Sequence, residues 1–122
     1  MATLRADRIF HALADATRRD IVVQTMREEH SVSALARCYP MSFAAVQKHV
    51  AVLERAELVT KRRHGREQLV RGKVETVREA SDLLEALEAM WRSRIDRFGE
   101  VLAEQFASTD PTAPADPTRG AS

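Results

Sequence analysis

Apolar residues recur at helical spacing along most of this chain of 122 residues, and the spacing changes once, between residues 58 and 71. There, two short runs of strand-forming and basic residues, 58–63 and 67–71, flank His64-Gly65-Arg66, which is typical of a hairpin turn. The segments on either side have the period of amphipathic helices. The sequence therefore predicts a mainly α-helical domain of about five helices with one two-stranded β-hairpin.

Four helices are predicted before the hairpin. The first opens at the N-terminus, and the second follows Asp15, a residue type that caps helix N-termini. A short third helix is capped by Ser31 or Ser33, and it must end before Pro40, because proline disfavours helical backbone in the preceding residue. Ser42 caps a fourth helix whose apolar residues fall on one side.

A long fifth helix is predicted over residues 74–107, where large apolar residues such as Leu84, Trp91 and Phe98 recur every seven positions. The core of so small a domain cannot cover all of these apolar residues, and we therefore expect another chain to cover part of them. The alternative is a ligand pocket lined by the same residues. Residues 108–122 contain no core-forming residue and are expected to be a disordered tail. Residues 1–107 then form a single domain.

Charge is distributed unevenly along the chain. Residues 37–73 hold nine basic and three acidic side chains, whereas residues 74–107 hold four basic and eight acidic ones, although the net charge is only +1. This concentration of positive charge indicates a polyanionic partner for the middle of the chain only.

Two helices joined by a tight connection (about 33–56) and followed directly by a basic hairpin (about 58–71) predict a winged helix-turn-helix. With its apolar side on the domain, the fourth helix would present its other side to the major groove of DNA, where Gln47 has the amide geometry to pair with adenine. Cations of the hairpin would lie on the DNA backbone or minor groove. The candidate DNA-binding residues are Ser42, Phe43, Ala44, Gln47, Lys48, His49, Lys61, Arg62, Arg63, His64 and Arg66.

Two of these side chains, and Cys38 outside this set, have alternative interpretations. Phe43 either contacts a thymine methyl group or packs on neighbouring protein. His49 is either half-buried and structural or faces a phosphate. Cys38 is expected to be a buried thiol at a helix end; the alternative is a redox sensor, which would need an exposed thiolate of lowered pKa.

Three segments resemble the ArsR/SmtB family of winged-helix transcriptional repressors: Ala12–Arg19, Met41–Leu53 and Ala56–Arg66. The resemblance extends over roughly residues 4–72. It implies a symmetric homodimer formed by the first and last helices, and repression by occupying an operator, commonly that of the protein's own operon. The candidate dimer-interface residues are Leu4, Ile9, Leu84, Leu87, Trp91, Ile95, Phe98 and Leu102.

The chain departs from the metal-sensing members of that family. They carry Cys-x-Cys in the region of the third helix, where this sequence has Ser31 and Ser33. Their other common site uses histidines of the last helix, and residues 74–107 contain no histidine. The resemblance is therefore to the subgroup without metal-binding cysteines, and we expect no metal and no cofactor. The residues do not identify an effector, and they do not distinguish an activator from a repressor.

Other classes of protein are not favoured by the sequence. It contains no glycine-rich phosphate loop and no nucleophile motif, so we do not expect an enzyme. It has neither a signal peptide nor an apolar run of the roughly 18 residues that a membrane span requires, so a cytoplasmic protein is expected. The predicted function is sequence-specific binding of an inverted-repeat DNA operator by a homodimer. The alternative is a winged-helix module that binds a protein, which a lack of DNA binding at low salt would favour.

Overall fold

A computed structural model describes residues 2–109 of the chain, with the side chains of residues 4–106. Two compact units meet in the chain between Leu83 and Leu84. The sequence predicts the tail from residue 108, but the last helix continues through residues 108 and 109; from residue 110 onward the predicted tail lies outside the described residues. The elements are α1 (Ala2–Leu13), α2 (Ala16–Arg27), β1 (His30–Ser31), α3 (Val32–Ala36), α4 (Phe43–Arg55), β2 (Val59–His64), β3 (Glu67–Gly72) and α5 (Val74–Thr109).

The mainly α-helical winged helix-turn-helix is confirmed, with one addition to its sheet. The structure has three antiparallel strands in the order β1-β3-β2, whereas the sequence predicts two. The added strand is the extended connection between α2 and α3, in which His30 pairs with Val70 and Ser31 with Leu69. Its two residues lie along the otherwise free edge of β3, and the hairpin register runs from Val59 opposite Gly72 to His64 opposite Glu67.

Small polar residues begin the helices as predicted. Side-chain oxygens of Asp15, Ser31 and Ser42 accept hydrogen bonds from the backbone N–H three residues later, at 3.0, 3.0 and 3.1 Å. Each satisfies a donor that the first turn of a helix leaves free. Of the two serines considered for α3, it is Ser31 that caps the helix.

The core of the first unit lies between the helices and one side of the sheet. Its largest fully buried apolar side chains come from α2, α3, α4, the connection between α4 and β2, and both hairpin strands: Ile21, Leu35, Leu53, Leu58, Val46, Val50, Val59 and Val70. The sheet approaches α2 closely at Gly72, where an added Cβ would lie 2.5 Å from Cγ of Met26 and 2.9 Å from its backbone nitrogen. The hairpin is therefore held against α2 by backbone as well as by side chains.

Glu57 ends α4 and directs the chain into β2. Its backbone is left-handed, with a φ of 59°, a conformation that usually favours glycine. Its surroundings hold it there: the carboxylate pairs with Arg5 and with Lys73, and the carbonyl accepts a hydrogen bond from the hydroxyl of Thr76. These contacts connect the end of α4 to α1 and to the start of α5.

The second unit contains the larger part of α5. Every described side chain from residue 84 to residue 106 is exposed except Leu102, which is half-exposed. Large apolar groups are included, with Trp91 61% and Phe98 65% exposed. No helix in the described part of the chain combines the length and apolar character needed to cross a membrane.

Candidate nucleic-acid interface

The fourth helix separates an apolar side from a polar one, as the sequence predicts. Val46, Val50 and Leu53 are at most 1% exposed and fix α4 to the core. Gln47 and Lys48 lie on the exposed side. The N-terminal half of α4 can therefore approach a ligand and present to it the amide of Gln47 and the ammonium group of Lys48.

Small and apolar groups complete this exposed end of the helix. Ala44 and Ser42 are exposed, and Phe43 is 47% exposed. Close packing of the Phe43 ring inside its own protomer is therefore limited, which leaves the ring available to a methyl group of a base. The small side chain of Ala44 lets the helix backbone come close to a surface.

The turn between α3 and α4 is held by Tyr39, a residue that the sequence analysis did not identify. Its hydroxyl donates a hydrogen bond to the Asp20 carboxylate of α2, at 2.5 Å. Burial and this carboxylate both raise the pKa of the phenol well above its usual value. Since the two residues are 19 positions apart and the bond is tertiary, no local pattern reveals it.

Arg18 connects three helices beneath the exposed face of α4. From α2, its guanidinium donates to the carbonyl oxygens of Ala12 at 2.7 Å and His11 at 3.1 Å, near the end of α1. One of its terminal nitrogens also lies 3.3 Å from Nδ1 of His49 in the middle of α4. Arg18 thus sets the position of α4 relative to α1.

His49 takes part in this connection instead of standing free on the surface. The ring is half-buried, and its Nδ1 lies 3.9 Å from the carboxylate of Asp15 as well as close to Arg18. The backbone N–H of Arg18 donates to Asp15 and lowers the pKa of that carboxyl group. Of the two interpretations of His49, these contacts favour the structural one.

The basic side chains of the hairpin fall into two groups, those that are exposed around the turn and those that are paired with a carboxylate. Arg63, His64 and Arg66 are exposed around the turn, where Gly65 has a φ of 64°. The left-handed backbone at this position is one that glycine adopts without strain. Among the described residues none of these three side chains has an ion-pair partner, so they can reach a nearby polyanion without first breaking an ion pair.

Two other hairpin cations are already paired with carboxylates. Lys61 lies 3.5 Å from Glu54 of α4, and Arg62 makes a two-point pair with Glu29 at 2.9 and 3.0 Å. Arg62 lowers the pKa of the Glu29 carboxyl group. Glu29, 33 residues away in the chain, was missed by the sequence analysis because only the fold brings it to the hairpin.

Cys38 requires a correction. The thiol is exposed, whereas the sequence analysis expects it to be buried, and its Sγ lies 3.4 Å from the carbonyl oxygen of Ala34. The reason is that α3 ends at Ala36, so Cys38 falls in the turn before α4 instead of on the core side of a helix. In the described residues, no three side chains of His, Cys, Asp or Glu lie together as a metal site would require.

The candidate dimer residues divide into three groups, one of which is Leu102 alone, a half-exposed residue. Leu4, Leu84, Leu87, Trp91, Ile95 and Phe98 are between 51% and 65% exposed. Ile9 is 3% exposed, because it faces the core of its own protomer. The prediction for Ile9 is therefore corrected: it stabilises α1 within the domain and offers almost no surface to a second chain.

Comparison with known proteins gives one curated relative and several solved structures. No family model matches the chain. It is 46% identical over 66 residues to the HTH-type transcriptional regulator Rv2034 of Mycobacterium tuberculosis, a match covering 53% of this chain. The match spans 62% of that protein, which is less than two thirds of its length.

The solved structures share the fold of this chain over more of its length. An ArsR-like transcriptional regulator from Rhodococcus sp. RHA1 superimposes with a TM-score of 0.74 at 29% identity, covering 82% of this chain and 94% of that one. The ArsR family transcriptional regulator RHA00566 gives 0.70 at 27% identity, covering 75% and 94%. The homodimeric winged helix-turn-helix DNA-binding domain Mb0332 of Mycobacterium bovis has the same fold, with a TM-score of 0.59 at 24% identity over 71% and 83% of the chains. By fold and by sequence, this chain is similar to ArsR-like transcriptional regulators with a winged helix-turn-helix.

Proposed function

We propose that the chain is a transcriptional regulator that binds double-stranded DNA in a sequence-specific manner. The observation that carries the proposal is the exposed N-terminal half of α4, with Gln47 and Lys48 outward, together with the exposed basic residues of the hairpin turn. Gln47 would read a base edge, and Lys48 would contact guanine or phosphate. The similarity of this chain to proteins described as transcriptional regulators supports the same function.

The hairpin would contribute affinity more than specificity. Arg63, His64 and Arg66 would contact phosphates or the minor groove, which fixes the register of α4 on the duplex. Arg62 and Lys61 would contribute less, because each would have to exchange a carboxylate partner for a phosphate. The helix N-terminus capped by Ser42 would add a further phosphate contact.

The regulator would act as a homodimer that blocks transcription at an inverted-repeat operator, including one in its own promoter. The exposed apolar residues of α5, centred on Trp91, would form the interface with a second copy. Two-fold symmetry would place the two copies of α4 in successive major grooves, about 34 Å apart. Neither a metal nor a cofactor would be needed for binding, and the site of action would be the cytoplasm.

A fluorescence anisotropy titration tests this function. The labelled duplex carries the DNA upstream of the protein's own coding sequence, and a shuffled duplex of equal composition is the control. We expect preference for the natural sequence, no effect of EDTA, and an affinity that falls steeply with salt, by about 0.9 log units per neutralised phosphate for each log unit of salt. Absence of binding to either duplex at low salt would overturn the proposal in favour of a protein-binding module.

A further inference from the structure

A basic cleft lies between α1 and the C-terminal half of α4, away from the residues assigned to base reading. It has a volume of about 300 Å³ and is lined by Arg8, His11, Val52, Arg55 and Ala56. We propose that this cleft binds a small anion of the phosphate class. The volume is at the lower end of the range for ligand pockets, which fits a compact anion.

The positive charge of the cleft is not neutralised by the protein. None of its lining residues is acidic. The two carboxylates closest to Arg55 in the chain are engaged elsewhere, since Glu54 pairs with Lys61 and Glu57 pairs with Arg5 and Lys73. Among the described residues, neither Arg8 nor Arg55 has a salt-bridge partner.

The geometry suits an oxyanion. Arg8 and His11 are three residues apart and therefore neighbours on α1, while Arg55 approaches from α4, so the donors come from two helices. Val52 and Ala56 are four residues apart and form an apolar side of the cleft. A guanidinium presents its donors in a planar fork that matches two oxygens of a phosphate, and two such forks can hold a pyrophosphate.

The cleft is connected to the helix proposed to read DNA, and this part of the inference depends on the proposed function. Arg55 lies seven residues beyond Lys48 on the exposed side of α4, about 10 Å along the axis and so about one Debye length in 0.1 M salt. The carbonyl of His11 is bonded to Arg18, which contacts His49 of α4. An anion in the cleft would add negative charge beside the DNA, and would therefore weaken binding of DNA.

Calorimetric titration of the full chain with pyrophosphate tests the site without DNA. Ionic strength is held constant with KCl. We expect saturable binding of one pyrophosphate per protomer, weakened about tenfold or more in Arg8→Gln/Arg55→Gln, since each arginine would supply charge-assisted hydrogen bonds. The matched control Arg27→Gln/Arg37→Gln removes two exposed cations outside the cleft, and it should bind pyrophosphate within about twofold of the unmodified chain. Non-saturable heats, or equal losses in both variants, would overturn the proposal.

Two further measurements identify what the cleft holds. In the DNA titration, saturating pyrophosphate should weaken binding of the unmodified chain more than KCl of equal ionic strength does, and should not do so for Arg8→Gln/Arg55→Gln. If the cleft variant loses DNA affinity while the unmodified chain binds no pyrophosphate, the cleft holds a DNA phosphate and the proposal is wrong. If the variant instead dissociates to monomers in sedimentation, a second copy fills the cleft and the proposal is equally wrong. A chain that binds pyrophosphate but no DNA would contradict the proposed function and leave the anion site supported.

Discussion

Arg62 and Glu29 form a two-point ion pair that ties strand β2 of the hairpin to the connection between α2 and β1, with N–O distances of 2.9 and 3.0 Å. The pair withdraws one hairpin cation from a polyanion while leaving Arg63 and Arg66 exposed. In the proposed complex with DNA, the affinity of the hairpin would therefore depend on a carboxylate as well as on arginines.

Replacing Glu29 with glutamine should strengthen DNA binding. The change frees Arg62 and removes a negative charge beside the hairpin, so we expect about threefold tighter binding to all duplexes and a salt slope steeper by up to about 0.9. Anisotropy titrations at several KCl concentrations measure both quantities. Glu75→Gln makes the same charge change at the start of α5 and should alter neither. Weaker binding by Glu29→Gln would show that the pair serves to position Arg62.

Acid should remove the stabilisation that this pair provides. Arg62 lowers the pKa of Glu29 in the folded chain below its ordinary value of 4.5, so the unfolded chain takes up a proton first as pH falls. The contribution is complete well above pH 4.5 and is lost as the pH falls through the lowered folded value. Thermal unfolding of the unmodified chain and of Glu29→Gln between pH 7 and pH 3 measures this loss. The difference in Tm should shrink as the pH falls, and a constant difference would exclude the pair as its source.

Gln47→Ala should change the preference for DNA sequence more than the overall affinity. A bidentate amide contact discriminates between bases by about 1–3 kcal/mol, so we expect a loss confined to operators that carry the contacted base pair. Single-base operator variants titrated with both proteins reveal the position. A uniform loss on every duplex would instead assign Gln47 to support of the helix.

Removing the exposed hairpin arginines should lower the overall affinity for DNA more than it changes the preference for DNA sequence. Arg63→Ala with Arg66→Ala should weaken binding to all duplexes alike and flatten the salt slope by about 0.9 for each lost phosphate contact. Arg27→Ala with Arg78→Ala removes two exposed cations from α2 and α5 as a control. An unchanged slope in the hairpin variant would place the hairpin outside the interface.

Trp91→Ala should weaken self-association while leaving the protomer folded. The indole is 61% exposed, so its removal creates no cavity in the protomer, whereas a buried interface tryptophan often dominates binding. We expect the dimer Kd in sedimentation equilibrium to rise at least tenfold, with circular dichroism unchanged at concentrations where both proteins are dimeric. Arg92→Ala should have little effect. A monomeric unmodified chain would contradict the proposed interface directly.

Local patterns in the sequence were enough to predict the helices, their caps and the hairpin. The apolar spacing of Val46, Val50 and Leu53 predicts the buried side of α4, and Gly65 predicts the turn. Strand β1 was not predicted, because two residues carry no periodicity and pair only when the fold brings them to β3.

The contacts that adjust the candidate site could not be predicted in the same way. Tyr39 and Asp20 are 19 residues apart, and Arg62 and Glu29 are 33 apart, so each pair depends on how helices and sheet pack. Whether a side chain is exposed also depends on the tertiary structure. Cys38 and Ile9 were misplaced because a single sequence shows that a residue is apolar or small, but does not show which neighbour covers it.

The two described turn and strand glycines set different limits on how this sequence can change. At Gly65 a side chain would meet open space, so asparagine, which tolerates left-handed backbone, should be an acceptable substitute. At Gly72 a side chain would meet the backbone of Met26, which no change of rotamer can move away. Among functional variants selected from a random library, almost all should therefore carry glycine at position 72. Position 72, although no DNA contact is proposed for it, would therefore be constrained by the spacing between hairpin and helix more tightly than the exposed arginines are.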